Sequence, residues 1–411
     1  MHRPRIVLSA YACRPGFGSE HLTGWQTAVH LAPHCALTVL TRLKNQSFIE
    51  EALTTQPIDV PIEFLYYDLP KTFVDLKERG VISTRVYYLL WQRLAFKSLR
   101  RELLERNFEI AQHLTFNSFE SASVLWKYAK HCIVGPIGGG MRVGDEILPL
   151  FHGRAILERL RNFRVGLSAR NPLVRRTLAR ADYVFFANQE TADLVGPMRT
   201  GPSEIMLDVG VDPRRFDQRS REKSAGGLRV LFAGRLEARK GIWLIPPLLE
   251  RVVDRVPELS MVILGTGPEE AALRKRLAEF IANGRVSMRG EVSHNAMLSA
   301  YRNTDCLLFP SLRDTSGTVV LEAMACGLPV LAIKHQGARL MLRPECSILV
   351  EPGPVDLIVD ALACALATLH DDRELVLELG EAGRQRATQH FSWEARTERF
   401  LLCYRRLLAE R

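Results

Sequence analysis

The sequence predicts an α/β protein made of two Rossmann-like domains, each built on a parallel sheet. Two observations lead to this prediction. The chain has 411 residues, more than one hydrophobic core usually organises, which favours about two domains. Short β-branched and apolar runs also alternate with stretches of helical pattern, and this alternation stops and restarts near residue 227.

Twelve short apolar runs have the length and composition of buried strands. The runs in the first half of the chain are Ile6 to Ala10, Leu37 to Leu40, Ile62 to Tyr67, Ile110 to His113, Ile133 to Gly135 and Tyr183 to Ala187. The runs in the second half are Val230 to Ala233, Met261 to Leu264, Val286 to Met288, Cys306 to Phe309, Val330 to Ile333 and Ile348 to Val350. Strands joined through helices pair in parallel, so each half predicts one sheet.

The stretch Arg214 to Gly227 is polar, ends in glycine and lacks a hydrophobic period, as an interdomain linker does. We therefore predict an N-terminal domain over residues 1–213 and a C-terminal domain over residues 214–390. Residues 391–411 place Trp393, Phe400 and Tyr404 on one face of a predicted helix. That face requires another element to pack against.

The composition indicates a globular protein with an ordinary core, at 47% apolar and 25% charged residues. The eight cysteines are scattered and show no metal-ligand or redox spacing, which is typical of buried thiols in a reducing compartment. The sequence shows no signal-peptide pattern and no uncharged apolar stretch of spanning length. These features predict a cytoplasmic protein.

The net charge of +9 is concentrated in the first half. Residues 151–180 contain eight arginines and a single acid, Glu158, and the stretch Arg85 to Arg106 has the pattern of a basic amphipathic helix rich in aromatic residues. No nucleic-acid-binding module accompanies this charge, so we predict no nucleic-acid partner. The two stretches indicate either peripheral binding to an anionic membrane surface, on its inner face, or solvated helix faces above buried aromatic residues.

The segment from Phe309 to Val330 contains a buried strand, a loop with small hydroxyls and a helix. The start of this helix, at Gly317 and Thr318, presents backbone N–H groups that favour an anion. Asp314 and Glu322 stand eight residues apart on either side, where paired carboxylates could accept hydrogen bonds from vicinal hydroxyls. The alternative is that Asp314 caps the helix and Glu322 faces solvent.

This segment resembles the nucleotide-sugar-binding region of glycosyltransferase family 4. The matching residues are Pro310-Ser311, Gly317, Leu321-Glu322-Ala323-Met324-Ala325 and Gly327-Leu328-Pro329-Val330. Asp314 departs from the family, which usually has glutamate there. The resemblance covers nearly the whole chain, is strongest over residues 228–352, and implies a retaining enzyme of the GT-B fold. In that fold two Rossmann-like domains face each other across a cleft, and the C-terminal helix crosses back to the first domain.

Two cations are the next candidates for donor binding. Arg235 and Lys240 are five residues apart across a turn, so both could reach one diphosphate; the alternative is a turn residue and a solvated lysine. The resemblance implies that both neutralise the donor diphosphate, which removes the need for a metal ion. It further implies contacts of the diphosphate with the amides of Gly317 and Thr318, of the ribose with Glu322, and of the sugar with Asp314. The turns at Gly265 and Gly290 would line the donor site.

Three segments of the first half complete the predicted site. Gly16 and Gly18 follow the first strand and would allow close approach to the donor, the alternative being a plain surface turn. His113 ends the fourth strand, where a histidine is structural or, as the resemblance implies, contacts the transferred sugar. The resemblance also implies acceptor-side positions, namely Glu20, Gly138 and Gly139.

Together these features predict a retaining glycosyltransferase, a hexosyltransferase that uses a UDP- or GDP-sugar. Its acceptor would be a glycan or a lipid-linked molecule in polysaccharide or glycoconjugate biosynthesis, and it would need no cofactor. Two alternatives stay open. One is a sugar-nucleotide epimerase of the same fold, and the other is a catalytically silent binding subunit.

Overall fold

The computed structural model describes residues 3–55, 60–116, 118–151, 153–216 and 226–409. The chain forms two compact units. The first consists of Met1–Gly140, Arg164–Val209 and Trp393–Arg411, and the second of Met141–Phe163 and Gly210–Ser392. Of the predicted linker, residues 217–225 lie outside the described residues.

The first unit is built on a parallel sheet of seven strands in the order β3-β2-β1-β4-β5-β6-β7. The strands are β1 Arg5–Ser9, β2 Ala36–Arg42, β3 Glu63–Tyr67, β4 Phe108–His113, β5 Ala129–Ile137, β6 Tyr183–Phe186 and β7 Ser203–Ile205. Each of the six predicted runs overlaps one strand, and the runs extend past the strand bounds only at Ala10, Ile62 and Ala187. The sequence prediction missed β7, because its three residues, Ser-Glu-Ile, contain no apolar run.

Helices cover this first sheet. They are α1 Ser19–Leu31, α2 Gln46–Thr55, α3 Lys71–Glu78, α4 Thr84–Ser98, α5 Arg100–Glu105, α7 Pro172–Arg180, α8 Gln189–Val195 and α17 Trp393–Ala409. The C-terminal helix α17 packs on α1, and its Phe400 and Tyr404 share a hydrophobic core with Ile6 of β1 and Phe185 of β6. This core buries the apolar face that the sequence predicted for residues 391–411.

Helix α4 shows how the predicted basic amphipathic stretch folds. Its Tyr87, Tyr88 and Trp91 are completely buried in the core of the first unit. Ser83 begins the helix, since its hydroxyl accepts a hydrogen bond from the backbone N–H of Val86. The aromatic residues of this stretch are therefore core residues, and a membrane-facing role for them is wrong. The alternative, solvated charges above buried aromatic residues, is confirmed here.

The second unit is built on a parallel sheet of six strands in the order β10-β9-β8-β11-β12-β13. The strands are β8 Arg229–Ala233, β9 Ser260–Leu264, β10 Val286–Met288, β11 Cys306–Phe309, β12 Val330–Ile333 and β13 Ser347–Val350. Its helices are α9 Ile245–Val252, α10 Glu270–Arg276, α11 Ala278–Ala282, α12 His294–Arg302, α13 Thr318–Ala325, α14 Gln336–Met341, α15 Val355–Asp371 and α16 Arg373–Phe391. Two parallel-sheet Rossmann-like units confirm the predicted fold class.

Residues 141–163 belong to the second unit, whereas the sequence predicted them in the first domain. Ile147, Leu150 and Phe151 lie in the hydrophobic core of the second unit, which also contains Leu236 and Ile242. The prediction that residues 1–213 form one domain is therefore wrong for residues 141–163. These residues have no strand pattern, and the core that buries them comes from distant parts of the chain. The unit boundary falls inside helix α6, Ala155–Ala169.

Candidate donor-binding site

Two loops of the second unit start side by side because their strands, β8 and β11, are neighbours in the sheet. The backbone N–H groups of Leu312 and Arg313 donate to the carbonyl oxygen of Arg239 at 2.9 and 3.1 Å. The Ser311 hydroxyl donates to the same oxygen at 3.2 Å. These bonds fix the loop after β8 against the loop after β11, so the predicted donor residues of both loops lie close together.

Lys240 and Asp314 form an ion pair between these loops. Their side chains are only 17% and 12% exposed, so the pair is largely shielded from water. The amide oxygen of Gln336 accepts a hydrogen bond from the Asp314 N–H at 2.7 Å, which fixes the backbone that carries the carboxylate. No side chain caps α13 at Gly317. The alternative role of Asp314 as a helix cap is therefore wrong.

Gly241 follows Lys240 and allows the two loops to approach each other. Its φ is +72°, in the left-handed region, and a Cβ atom there would lie 1.8 Å from the carbonyl oxygen of Pro310. Any side chain would push the loops apart. Gly241 is not among the predicted site residues, although it directly follows the predicted Lys240.

Gly317 and Thr318 begin α13 beside the ion pair. A Cβ atom on Gly317 would lie 2.8 Å from Cζ of Phe309, so glycine is needed for the close packing of the helix start on β11. The first N–H groups of a helix have no partner within the helix, and the helix dipole adds a partial positive charge. The position therefore suits an anionic group.

Glu322 lies in the second turn of α13, half-buried. The Tyr301 hydroxyl donates a hydrogen bond of 2.8 Å to its carboxylate. Burial raises the pKa of Glu322, while the hydrogen bond from Tyr301 acts in the opposite direction. The alternative of a fully solvated face residue is wrong. No sequence pattern indicates Tyr301, which is buried on α12.

The structure does not bring Arg235 into the ion pair. Its side chain is 69% exposed, and its Nε lies 3.7 Å from a carboxylate oxygen of Glu237. Arg239 also contacts Glu237, at 2.6 Å. Of the two predicted cations, Lys240 occupies a defined position, whereas Arg235 lies at the surface of the same loop.

Gly265 and Gly290 meet at the ends of β9 and β10, where the N–H of Gly265 donates to the carbonyl oxygen of Gly290 at 2.7 Å. The turn after Gly265 leads to Glu269. One oxygen of Glu269 accepts from the N–H of Ala238 at 2.9 Å, and the other accepts from the Trp243 indole at 2.6 Å. The turn thus anchors the loop that carries Lys240.

A buried ion network next to the loop after β11 was not predicted. Arg313 Nε lies 2.9 Å from Glu158 Oε1, and Arg161 Nη1 lies 3.3 Å from the same oxygen. Arg161 also donates to the carbonyl oxygen of Met141 at 2.9 Å. Burial lowers the pKa of Arg313 to about 10. Since Arg313 directly precedes Asp314, Glu158 positions the loop that carries Asp314. The available signal was its place as the lone acid among eight arginines.

In the first unit, His113 lies at the end of β4 and is almost completely buried. The Tyr88 hydroxyl is 3.4 Å from Nε2, and the Gln92 amide nitrogen is 3.3 Å from Nδ1. Burial lowers the pKa of His113 to about 4, so the ring is neutral at pH 7. Glu20 accepts a hydrogen bond from the N–H of Phe116 at 2.5 Å, and the Phe116 ring stacks on Tyr88. The structure thus links Glu20 to His113 through two aromatic rings.

The predicted glycines of the first unit lie in two loops. Gly16 and Gly18 are exposed, with φ of +68° and +53° and open space where a Cβ would lie. Gly138 is buried, and its carbonyl oxygen accepts from the N–H of Phe119 at 2.9 Å. Gly139 is half-buried, and a Cβ there would lie 2.9 Å from the Ser118 hydroxyl.

A polar group at the same sheet edge, which we call the Arg42 cluster, has no motif in the sequence. It comprises Arg42, Asp68, Tyr87, Lys77 and Tyr11. Arg42 pairs with Asp68 at 3.0 Å, the Tyr87 hydroxyl donates to Asp68 at 2.5 Å, and Lys77 Nζ donates to the Tyr11 hydroxyl at 3.2 Å. Burial lowers the pKa of Lys77 to about 8. Its members come from the end of β2, from the segments after β1 and β3, and from helices α3 and α4, so only the fold assembles it.

Among the described residues, no group of three or more histidine, cysteine, aspartate or glutamate side chains is arranged to hold a metal ion. No described helix has both the length and the apolar composition needed to cross a membrane.

The donor-site geometry lies within a region that matches a known family. Residues 213–386 match the family model of glycosyl transferases group 1. The chain is similar to sulfoquinovosyl transferase SQD2 of Arabidopsis thaliana, with 30% identity over 219 residues that cover 50% of this chain and 40% of SQD2. It is also similar to a GDP-mannose-dependent alpha-(1-6)-phosphatidylinositol monomannoside mannosyltransferase of Mycolicibacterium smegmatis, with 31% identity over 252 residues that cover 56% of this chain and 64% of that enzyme.

Solved structures are similar in fold to nearly the whole chain. Anabaena HepE in complex with UDP has a TM-score of 0.64 and 15% identity, covering 97% of this chain and 99% of HepE. In sequence, the matched stretches span about half the length of the curated relatives, for example 49% of the glycogen synthase of Mycobacterium tuberculosis. All predicted donor residues of the second unit, from Arg235 to Glu322, lie within the region that the family model matches.

Proposed function

We propose that this protein is a retaining glycosyltransferase that moves a hexose from a nucleotide sugar to a glycan or lipid-linked acceptor. The observation that carries this proposal is the shielded Lys240–Asp314 ion pair beside the start of α13. A cation, a carboxylate and a helix N-terminus then lie together within the region that matches group 1 glycosyl transferases. This combination suits a sugar joined to a diphosphate.

The departing diphosphate would be stabilised by fixed positive groups. Lys240 and the N–H groups of Gly317 and Thr318 would face the charge that develops on the leaving oxygen, and the exposed Arg235 could fold over it from the surface of its loop. Preorganised donors of this kind lower a barrier without a metal ion. The acceptor oxygen would bond to the anomeric carbon on the face from which the diphosphate departs, and its proton would pass to the departing phosphate oxygen, so the configuration of the sugar would be retained.

The ion pair suggests how Asp314 takes part. A bound diphosphate competes with Asp314 for Lys240, and the carboxylate released from the pair could then accept hydrogen bonds from the sugar hydroxyls. Glu322, held by Tyr301 at 2.8 Å, would accept those of the ribose. Aspartate is one methylene shorter than the glutamate that is usual at this position. Its pairing with Lys240 would keep the shorter carboxylate close to a bound diphosphate. The donor preference of this protein should depend on this position.

The first unit would supply the acceptor side. His113, neutral at pH 7, could donate or accept one hydrogen bond with the transferred sugar, while Gly16 and Gly18 would allow approach to the donor and Glu20, Gly138 and Gly139 would line the acceptor path. The relatives that suggest the acceptor class act on lipid or glycan molecules by name, a phosphatidylinositol monomannoside in one case. No disulfide joins any of the eight cysteines, all of which are described residues, and seven of them are buried, which supports a reducing cytoplasmic compartment.

Two experiments test the proposal in sequence. A thermal-shift panel with UDP, GDP, ADP and their sugars should identify one nucleotide that raises the unfolding temperature, since a bound ligand stabilises by mass action. The identified donor is then incubated with glycan and lipid-linked acceptors, and the anomeric configuration of the product is read by NMR. A product with the donor's configuration supports a retaining transferase. Epimerised sugar nucleotide without transfer, or nucleotide binding without any turnover, would contradict it.

A further inference from the structure

Helix α6 presents an apolar stripe to solvent. Ile156, Leu160, Phe163 and Leu167 recur at intervals of four, three and four residues, which places them on one helix face. They are 71%, 59%, 71% and 56% exposed, and Leu157 beside them is 64% exposed. We call these five residues the α6 stripe. Adjacent large apolar side chains with this exposure mark an interaction surface rather than ordinary surface variation.

The opposite face of α6 is fixed to the protein, so the stripe cannot turn inward. Val165 and Ala169 lie in the hydrophobic core of the first unit. Glu158, only 6% exposed, holds Arg313 and Arg161. Because these residues lie half a helical turn away from the stripe, the helix is anchored with its apolar side outward.

Arginines border the stripe on both sides. At 3.6 residues per turn, Arg159 lies along one edge and Arg164 along the other, and Arg170 directly follows the end of the helix. Arg159 contacts the exposed Asp145 at 3.4 Å, and Arg164 contacts Glu120 at 3.5 Å. The following helix α7 adds further arginines to the same stretch of chain: Arg175, Arg176 and Arg180. Arg176 and Arg180 lie over the ring of Trp126.

We propose that α6 docks this protein onto an anionic phospholipid bilayer. An apolar face bordered by arginines is the pattern of a helix that lies in the membrane interface, with its apolar side chains among the acyl chains and its cations at the headgroups. Charge decides between a bilayer and a second copy of the chain. Two copies joined through the stripe would bring the bordering arginines together, and like charges across an interface oppose association.

The test uses the full-length protein and sedimentation with vesicles of phosphatidylcholine containing 30% phosphatidylglycerol. The wild type should bind these vesicles, should bind pure phosphatidylcholine at least tenfold more weakly, and should lose affinity as salt is raised. The variant Leu160→Ser/Phe163→Ser should lose at least tenfold in affinity. Both side chains are exposed, so this variant should fold and should keep the thermal shift produced by the donor nucleotide.

Two matched controls separate the contribution of the α6 stripe from nonspecific hydrophobic adsorption and from the net charge of the protein. Leu357→Ser/Leu402→Ser replaces leucines that are 64% and 62% exposed on other helices, and it should bind as the wild type does. Arg170→Gln/Arg175→Gln should weaken binding to anionic vesicles, whereas Arg79→Gln/Arg405→Gln, which removes two exposed arginines elsewhere, should not. Arg161 is left intact because it holds Glu158 and the carbonyl oxygen of Met141.

Several outcomes would overturn the proposal. One is a wild type that does not bind anionic vesicles, and another is a Leu160→Ser/Phe163→Ser variant that binds them unchanged. A third is a wild type that is dimeric by light scattering while this variant is monomeric, because the stripe would then be an interface between copies. Retention of the nucleotide thermal shift in the same samples keeps these results separate from the proposed transfer reaction.

Discussion

The two units differ in how their candidate residues come together. In the second unit, two loops that follow neighbouring strands carry Lys240 and Asp314, and the two side chains meet. In the first unit, the Arg42 cluster draws its members from segments after several strands and from two helices, and no short motif contains it. A site built from two short loops can be recognised in the sequence, whereas a site built from single residues of many elements cannot.

The largest effect is expected for Lys240→Ala. It removes a fixed cation from the proposed diphosphate site and leaves Asp314 without its ion-pair partner. Loss of one preorganised charge of this kind costs about 100-fold to 1,000-fold in rate. Steady-state kinetics with saturating acceptor should show this loss in kcat/KM for the donor. Lys275→Ala, an exposed lysine on α10, should retain full activity. A loss below tenfold for Lys240→Ala would remove the lysine from the proposed site.

Glu322→Gln should reduce donor affinity by roughly tenfold to 100-fold, because hydrogen bonds of hydroxyls to a charged acceptor become bonds to a neutral amide. The pKa of Glu322 is raised in the folded protein. Wild-type affinity should therefore fall as pH falls through that raised pKa, and the variant should lack this dependence. Isothermal titration with the identified nucleotide over a pH series measures both effects.

The same substitution should increase stability at neutral pH. A raised pKa means that the fold favours the protonated form, so the stability it contributes is present in acid and is lost as pH rises through the folded pKa. At pH 7 the wild type bears the cost of the buried charge, and the neutral glutamine does not. Calorimetry should show a higher Tm for Glu322→Gln at pH 7. If Glu322→Gln lowered both the Tm and the donor affinity, the substitution would have damaged the fold.

Glu158→Gln should have a smaller effect on activity, about tenfold in the donor KM, because Glu158 acts on the donor loop only through Arg313. Removal of one partner from a buried ion pair also costs about 3 kcal/mol of stability. Asp145→Asn is the matched control, since Asp145 contacts Arg159 at the exposed surface and should be neutral. An unchanged kcat with a raised KM is expected. A tenfold loss confined to kcat would argue against a positioning role.

The smallest effect is expected in the first unit. Tyr87→Phe removes the hydroxyl that donates to Asp68, and Tyr128→Phe removes one that donates to the carbonyl oxygen of Phe96 at 2.9 Å. Each should cost about 1 kcal/mol of stability. If the Arg42 cluster faces the acceptor, Tyr87→Phe should also raise the acceptor KM a few-fold, and Tyr128→Phe should not. Equal acceptor KM values for both variants would assign the cluster a purely structural role.

Two basic helical stretches looked alike in the sequence but differ in the structure. The tyrosines and tryptophan of α4 are buried, whereas the leucines and phenylalanine of α6 are exposed. Helical periodicity shows which residues share a face, but not whether another element covers that face. The unit boundary also divides α6. Residues 141–163 belong to the second unit and the residues from Arg164 onward to the first, which no local sequence pattern could indicate.

The sequence by itself determined the strands, the parallel sheets and the loops that carry the donor residues. Apolar runs and helical periods are local properties, and loops at the carboxyl ends of parallel strands follow from the connectivity. Only the tertiary structure decided the partners: Asp314 for Lys240, Tyr301 for Glu322, and Glu158 for Arg313. The reason is physical. A side chain's pKa and position depend on charges and burial contributed by residues far away in the chain, and these meet only when the sheet and its helices have packed.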